Sequence, residues 1–217
     1  NVTNLVSGDM IWASGVVLSK TAGGDATLTL TTTDAGDIVF QPGARIESTA
    51  GQLAVVLNAD GRIDIASSAV FITNGGATRF RAAGNLPPEV ETETDQDLTA
   101  LASDAADSAE ESDESGSAEP SIRFAGTIDV SSDDSVGGLV TLEGRDIVLA
   151  ATARIDATGA TGGGDVLVGG DWQGGTNKER RVFDDPDALQ QATIVTMDSG
   201  ALIDASATEN GDGGTVV

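Results

Sequence analysis

Carboxylates are the side chains of this sequence most able to do chemistry. The chain has 217 residues, with 35 Asp and Glu, 11 Lys and Arg, no His and no Cys. Paired carboxylates can cleave glycosidic bonds, and clustered carboxylates can bind Ca²⁺. The absence of His and Cys removes the commonest general base, thiolate nucleophiles and cysteine metal sites. Any catalysis would therefore rest on carboxylates, with or without a basic partner.

One acidic cluster, DDPD at 184–187, is the closest candidate for a catalytic group. Other acids, such as Asp129, Asp156 and Asp204, recur at equivalent positions of a repeat, so none of them stands out. Asp followed by Pro favours the start of a turn, and we interpret 184–187 in this way. The sequence therefore predicts no catalytic residue, no cofactor and no metal ligand. A β-helix polysaccharide hydrolase or lyase is the enzymatic alternative, with Asp185 as the residue to substitute.

Residues 85–120 form an acidic low-complexity insertion. They contain 12 acidic residues and no basic residue, with Pro87, Pro88 and Pro120 at the borders. A segment with so few large apolar residues cannot offset the entropy cost of ordering, so we predict that it is disordered. It also lacks the D-x-[DN]-x-[DN]-G pattern of a dedicated calcium loop. We therefore expect at most weak, nonspecific binding of Ca²⁺.

A second unusual segment, 171–192, combines aromatic and basic residues. Aromatic residues and Arg are enriched where proteins contact partners. Five side chains are candidates for a partner contact with a carbohydrate or a protein: Trp172, Lys178, Arg180, Arg181 and Phe183. The alternative is a structural flap or hairpin that folds along its neighbours, with the charges compensating one another. We favour the structural interpretation and keep the contact patch as the sharper hypothesis.

The rest of the sequence is a repeat that must position these segments. Glycine turns precede alternating apolar stretches at six places: Gly24, Gly51, Gly76, Gly138, Gly164 and Gly214. Their intervals are 27, 25, 62, 26 and 50 residues. Without 85–120 and 171–192, the two long intervals shrink to 26 and 28 residues. A period of about 26 residues is typical of a solenoid.

Apolar residues alternate with polar ones inside each repeat, which predicts strands with one buried face. Two or three short strands cannot close a core alone, so the repeats must stack as a parallel β-helix. We predict an all-β solenoid with rungs of about 26 residues at 1–84, 121–170 and 193–217, and two excursions. One interior aliphatic ladder is expected from Ile46, Ile63, Ile128, Ile155 and Ile203.

The acid after each isoleucine should face outward: Glu47, Asp64, Asp129, Asp156 and Asp204. Like charges in adjacent strands repel one another. Arginines two positions earlier, at Arg45, Arg62 and Arg154, could offset this repulsion. We expect the glycines to stand at corners that need a positive φ.

Two stretches resemble a known family: ARIDATGATGGGDVLVGGDWQGG and GALIDASATENGDGGTVV. They are similar to the repeat region of the filamentous haemagglutinin-like large exoproteins of Gram-negative bacteria and cyanobacteria, which use two-partner secretion. The match lies at Gly163 to Gly174 and Ile203 to Gly214. The strong likeness covers residues 146–217, while 1–80 agree only as a generic repeat. The family's secretion domain is not recognisable, and the acidic insertion is not part of its motif.

This resemblance implies a right-handed parallel β-helix at the cell surface or outside the cell, acting in adhesion, aggregation or biofilm. We expect a structural, non-catalytic segment of an extracellular adhesin or surface filament. Its partners would be other cells, glycans or copies of itself, with an outer-membrane transporter of the two-partner type implied by kinship. A subunit that stacks end to end into a filament is an alternative.

Net charge and hydropathy exclude two further partner classes. The formal charge of −24 repels nucleic acid and anionic lipid surfaces. The sequence contains no apolar run of the length that a membrane-spanning helix requires. We therefore expect neither nucleic-acid binding nor a membrane span.

Overall fold

The computed structural model describes residues 2–83, 121–185 and 189–217. Within these ranges the chain forms nineteen β-strands and one short 3₁₀ helix. No helix among the described residues is long and apolar enough to cross a membrane. The acidic insertion 85–120 and Asp187 of the DDPD cluster lie outside the described residues.

The strands form three parallel sheets. Sheet A contains β1 (Val2–Ser7), β4 (Ala26–Thr32), β7 (Leu53–Ala59), β10 (Ala77–Ala82), β13 (Leu139–Glu143), β16 (Asp165–Val168) and β19 (Thr215–Val216). Sheet B contains β2 (Met10–Trp12), β5 (Ile38–Phe40), β8 (Ile63–Ile65), β11 (Ile122–Phe124), β14 (Asp146–Leu149) and β17 (Ile194–Met197). Sheet C contains β3 (Val17–Lys20), β6 (Arg45–Ser48), β9 (Val70–Ile72), β12 (Thr127–Asp129), β15 (Arg154–Asp156) and β18 (Leu202–Asp204).

The chain visits the sheets in the fixed order A, B, C. We call one such pass a rung and number the rungs 1 to 6 from β1, so that β10, β11 and β12 form rung 4 and β19 follows rung 6. Pairing continues across both long intervals: Ile122 pairs with Ile63, and Val195 pairs with Ile147. This arrangement is consistent with a parallel β-helix, and it confirms the prediction of an all-β chain built from parallel sheets in sequence order.

The interior contains separate apolar columns, not the single isoleucine ladder expected from the sequence. In sheet C, Ile46 pairs with Phe71, which pairs with Ile128, and the column continues to Ile155 and Ile203. Ile63 lies in sheet B instead, between Ile38 and Ile122. The assignment of Ile63 was wrong because its local sequence GRIDI copies the sheet C motif, while Phe71 occupies the sheet C position of rung 3.

A chain of aromatic rings runs through the first four rungs. Trp12 stacks on Phe40 with ring centroids 5.4 Å apart, and Phe40 lies 4.8 Å from Phe71. Phe80 continues the chain at 5.1 Å from Phe71 and 6.3 Å from Phe124. The four phenylalanines are fully buried. Because these rings come from all three sheets, their packing ties the sheets together across the interior.

Most of the predicted corner glycines are required by close contact between neighbouring rungs and not by a positive φ. Only Gly24 and Gly51 of the six predicted turn glycines have a positive φ. The other four directly precede sheet A strands: Gly76, Gly138, Gly164 and Gly214. A Cβ at any of these four would overlap a backbone carbonyl oxygen of the preceding rung. The expectation of positive φ is therefore wrong for these four, which are needed for close approach of neighbouring backbones.

Asp129, Asp156 and Asp204 stack in one column of sheet C. Each Oδ1 accepts hydrogen bonds from the backbone N–H and the hydroxyl two residues later, on Ser131, Thr158 and Ser206 respectively. Each carboxylate thus fixes the turn that follows its strand.

The predicted arginine counter-ions are present at one position of three. Arg45 forms an ion pair with Glu47. Arg62 pairs instead with Asp37, at 3.1 Å. Arg154 donates to the carbonyl oxygens of residues 151, 153 and 200.

Candidate functional site

The second excursion leaves the stack after β16 and returns at β17. Its neck is closed by a hydrogen bond of 2.8 Å from the Ala192 N–H to the Gly169 carbonyl. Gly169 and Gly170 both have a positive φ, which turns the chain out of the sheet. Between these points the described residues form a 3₁₀ turn at Trp172–Gly175 and further turns, without a strand. The excursion is thus a looped flap in its described part.

Asp171 organises this flap from within. Its carboxylate is 5% exposed and accepts hydrogen bonds from three backbone N–H groups, of Trp172 at 2.7 Å, Val182 at 2.8 Å and Phe183 at 3.1 Å. A buried carboxylate is stable only when its charge is satisfied by donors of this kind. Asp171 therefore fixes both sides of the loop 171–183 to one another.

Glu143 attaches the returning side of the flap to the outer face of sheet A. Its side chain is 1% exposed, forms an ion pair of 2.6 Å with Arg79 on the preceding rung, and accepts from the Gln190 N–H at 3.1 Å. Leu167 and Leu189 are also buried, although neither belongs to the interior apolar cluster. Glu143 thus links the returning side of the flap to sheet A.

The five predicted contact residues lie in one loop. The Arg180 guanidinium lies over the Trp172 ring at 5.2 Å from its centroid. Arg181 donates to the Gly175 carbonyl at 3.5 Å, and Phe183 is half-buried. Lys178 is exposed. Because Arg180 covers one face of the indole, that face is not available to stack on a sugar or an aromatic ligand.

Sequence reasoning missed the residues that build this site. Asp171 lies in the quoted GGDWQGG stretch but was not distinguished from the many other acids. Glu143 was not among the residues singled out from the sequence. Arg79 and Arg81 on the neighbouring strand could have pointed to Glu143 as an ion-pair partner. This requires the register of β10 with β13, which the sequence alone does not give.

The two end rungs expose a second kind of surface. Six side chains of rung 1 are large, apolar and exposed: Leu5, Val6, Ile11, Val16, Val17 and Leu18. Five more are exposed at the other end: Ile194, Val195, Met197, Leu202 and Val216. The outermost strands also carry backbone groups on their free edges, which can pair with another chain.

Glu47 is the one described carboxylate whose pKa is clearly displaced. The hydrogen bond from Arg45 is the main cause, the Ser19 hydroxyl donates at 2.7 Å, and together they hold the pKa below its ordinary value of 4.5. Glu47 therefore stays ionised under mildly acidic conditions.

Among residues 2–83, 121–185 and 189–217, no three acidic side chains lie close enough together to hold a metal ion. Asp184 and Asp185 of the DDPD cluster are exposed. Comparison of the chain with protein-family models, curated proteins and solved structures finds no match.

Proposed function

We propose that this chain is a structural, non-catalytic segment of an extracellular bacterial adhesin or surface filament, built as a right-handed parallel β-helix with rungs of about 26 residues. It provides a stiff stack for adhesion, aggregation or biofilm. The observation that carries this proposal is the unbroken pairing of three parallel sheets along one direction. Such pairing gives a structure in which every rung is held by its neighbours.

The registers support the proposed rung length. Leu28 pairs with Val55, and Val140 pairs with Val166, which are separations of 27 and 26 residues. The proposed hand, the extracellular location and export through an outer-membrane transporter rest on the sequence resemblance at Gly163 to Gly174 and Ile203 to Gly214. A crystal structure would give the hand directly, and a left-handed coil would contradict that part.

Immunogold electron microscopy of the producing cells tests the location and the role. An antibody against the purified chain should label the cell surface or material shed from it, and antibody fragments should reduce cell aggregation. A matched antibody against a cytoplasmic protein serves as the control. Label confined to the cytoplasm would contradict the proposal.

End-to-end stacking of copies is a second candidate, favoured by the exposed apolar side chains of both end rungs. The outermost strands of these rungs also carry free backbone edges that can pair with another chain.

A further inference from the structure

Rung 4 has a shorter corner than its neighbours. Between the sheet B strand and the sheet C strand, the other five rungs have four residues, at 13–16, 41–44, 66–69, 150–153 and 198–201. Rung 4 has two, Ala125 and Gly126. The strands on both sides keep their register, because Phe124 pairs with Ile65 and Leu149, and Thr127 pairs with Val70 and Arg154. Rung 4 is therefore shorter by two residues in this corner, while its strands are unaffected.

This shortening opens a notch in the outer surface of the stack. The corners of rungs 3 and 5 extend past Ala125, and the cavity that they border has a volume of about 480 Å³. We call it the notch, with Ala125 as its floor, Ala66 and Ser67 on one wall, and residues 150–152 on the other. Gly126 permits the tight turn, since a Cβ there would lie 2.5 Å from the Ala69 carbonyl oxygen.

The backbone in the notch already has its hydrogen bonds. The Ala125 N–H donates to the Ile65 carbonyl at 2.9 Å, and the Ala125 carbonyl accepts from the Thr152 hydroxyl at 2.7 Å. The Gly126 carbonyl accepts from the Arg154 N–H at 2.9 Å. A peptide therefore cannot join here as an additional strand, so a ligand must be held by side chains.

Three charged side chains line the notch, and all are exposed: Asp64, Arg123 and Asp198. In the described part of the chain, none of them has a side-chain hydrogen bond or an ion pair, although Asp64 and Arg123 are paired residues of adjacent strands. The notch thus offers two carboxylates as hydrogen-bond acceptors and one guanidinium as a donor, above the methyl group of Ala125.

We propose that the notch binds one residue of a neutral polysaccharide. Sugar hydroxyls can donate to Asp64 and Asp198 and accept from Arg123, while the C–H face of the ring packs on the alanines. The volume of about 480 Å³ lies within the range of small-molecule sites. The charge of −24 disfavours polyanionic sugars and nucleic acids. This binding activity goes beyond the proposed structural role and does not depend on it.

Nuclear magnetic resonance titration of the ¹⁵N-labelled chain tests the proposal, with maltohexaose, cellohexaose, mannohexaose and chitotetraose as probes. We expect at least one probe to shift the amides of Ala66, Ala125 and Ala151. Arg123→Ala and Asp64→Asn should each weaken this binding about tenfold, the effect of losing a hydrogen bond to a charged group. Arg81→Ala is the matched control, because Arg81 is an exposed arginine of the same rung on sheet A.

A second variant fills the notch. Insertion of Ser-Ser between Ala125 and Gly126 restores the four-residue corner and should abolish the shifts. Retained amide dispersion in the three sheets would show that this variant is folded, and Arg123→Ala provides an independent test at an exposed position. The proposal is overturned if no probe shifts the notch amides, or if Arg123→Ala and the filled notch bind as the parent chain does.

Discussion

At the scale of single residues, glycine sets how closely the rungs can approach one another. Gly76, Gly138, Gly164 and Gly214 occupy stacked positions where a side chain would overlap the backbone of the preceding rung. Glycine is needed at these points because a Cβ would overlap a carbonyl oxygen of the neighbouring backbone. The repeated Gly-Gly pairs of the sequence therefore report on contacts between rungs as well as on turns.

Substitution of Gly138 by alanine should destabilise the protein strongly. A Cβ there would overlap the Gly76 carbonyl oxygen and lie 2.9 Å from the Val130 Cβ. Overpacking of this kind costs about 1–3 kcal/mol or more. The midpoint of urea unfolding should fall clearly below that of the matched control Gly23→Ala, whose new Cβ meets no atom within 4 Å. Equal midpoints for the two variants would show that rung 5 can shift freely.

Glu47 should titrate below pH 4.5 in the folded chain, because Arg45 and Ser19 stabilise its ionised form. Its contribution to stability is present above that pH and is lost as the pH falls through the lower folded pKa. Carboxyl chemical shifts followed during acid titration measure the midpoint. In Arg45→Ala the midpoint should rise toward 4.5, with a smaller rise in Ser19→Ala. An unchanged midpoint in both variants would rule out this cause.

At the scale of elements, the flap is held by buried carboxylates at two points. Asp171 closes the loop from inside, and Glu143 attaches it to sheet A through Gln190. Both hydrogen bonds lie outside the interior apolar cluster. Release of the flap should therefore be separable from unfolding of the stack.

Asp171→Ala should loosen the flap while the stack stays folded. The substitution leaves three backbone N–H groups without their acceptor, which costs about 1–3 kcal/mol for a buried donor. Hydrogen exchange should accelerate at Val182 and Phe183 while the amides of β13 and β14 keep their protection. Asp133→Asn, at an exposed acid far along the sequence, is the control. Unchanged exchange at Val182 would contradict the assigned role of Asp171.

The elements also show how far sequence reasoning can reach. The period of the glycines and the alternation of apolar residues predicted strands, parallel stacking and the interior position of Ile46, Ile128 and Ile155, and the structure confirms these points. The placing of Ile63 in one ladder with the sheet C isoleucines was wrong, because its local sequence GRIDI resembles the sheet C motif of other rungs. The notch at Ala125 could not be predicted, because the length of a corner can be compared between rungs only when the strand boundaries and registers are known.

At the scale of the whole molecule, the parallel pairing of all three sheets joins the described rungs to one another. Rungs 1 and 6 expose large apolar side chains, and unpaired strand edges can pair with another chain. Association between purified molecules is therefore the property that tests the end-to-end stacking candidate.

Leu18→Lys tests the end-to-end stacking of purified copies. Leu18 is an exposed apolar residue of β3, and a charge there opposes edge-to-edge pairing. Sedimentation velocity should show species that grow with concentration for the parent chain and less growth for Leu18→Lys. Equal growth of the two proteins would contradict association through rung 1.

The aromatic chain of the interior has an optical consequence. The chain has two tryptophans, Trp12 stacked on Phe40 in rung 1 and Trp172 beneath Arg180 in the flap. Their fluorescence therefore comes from two distinct environments, one at an open end of the stack and one in the excursion. Two separate variants each keep a single tryptophan. In Trp12→Phe the emission of Trp172 follows opening of the flap, and in Trp172→Phe the emission of Trp12 follows fraying of rung 1, without any added label.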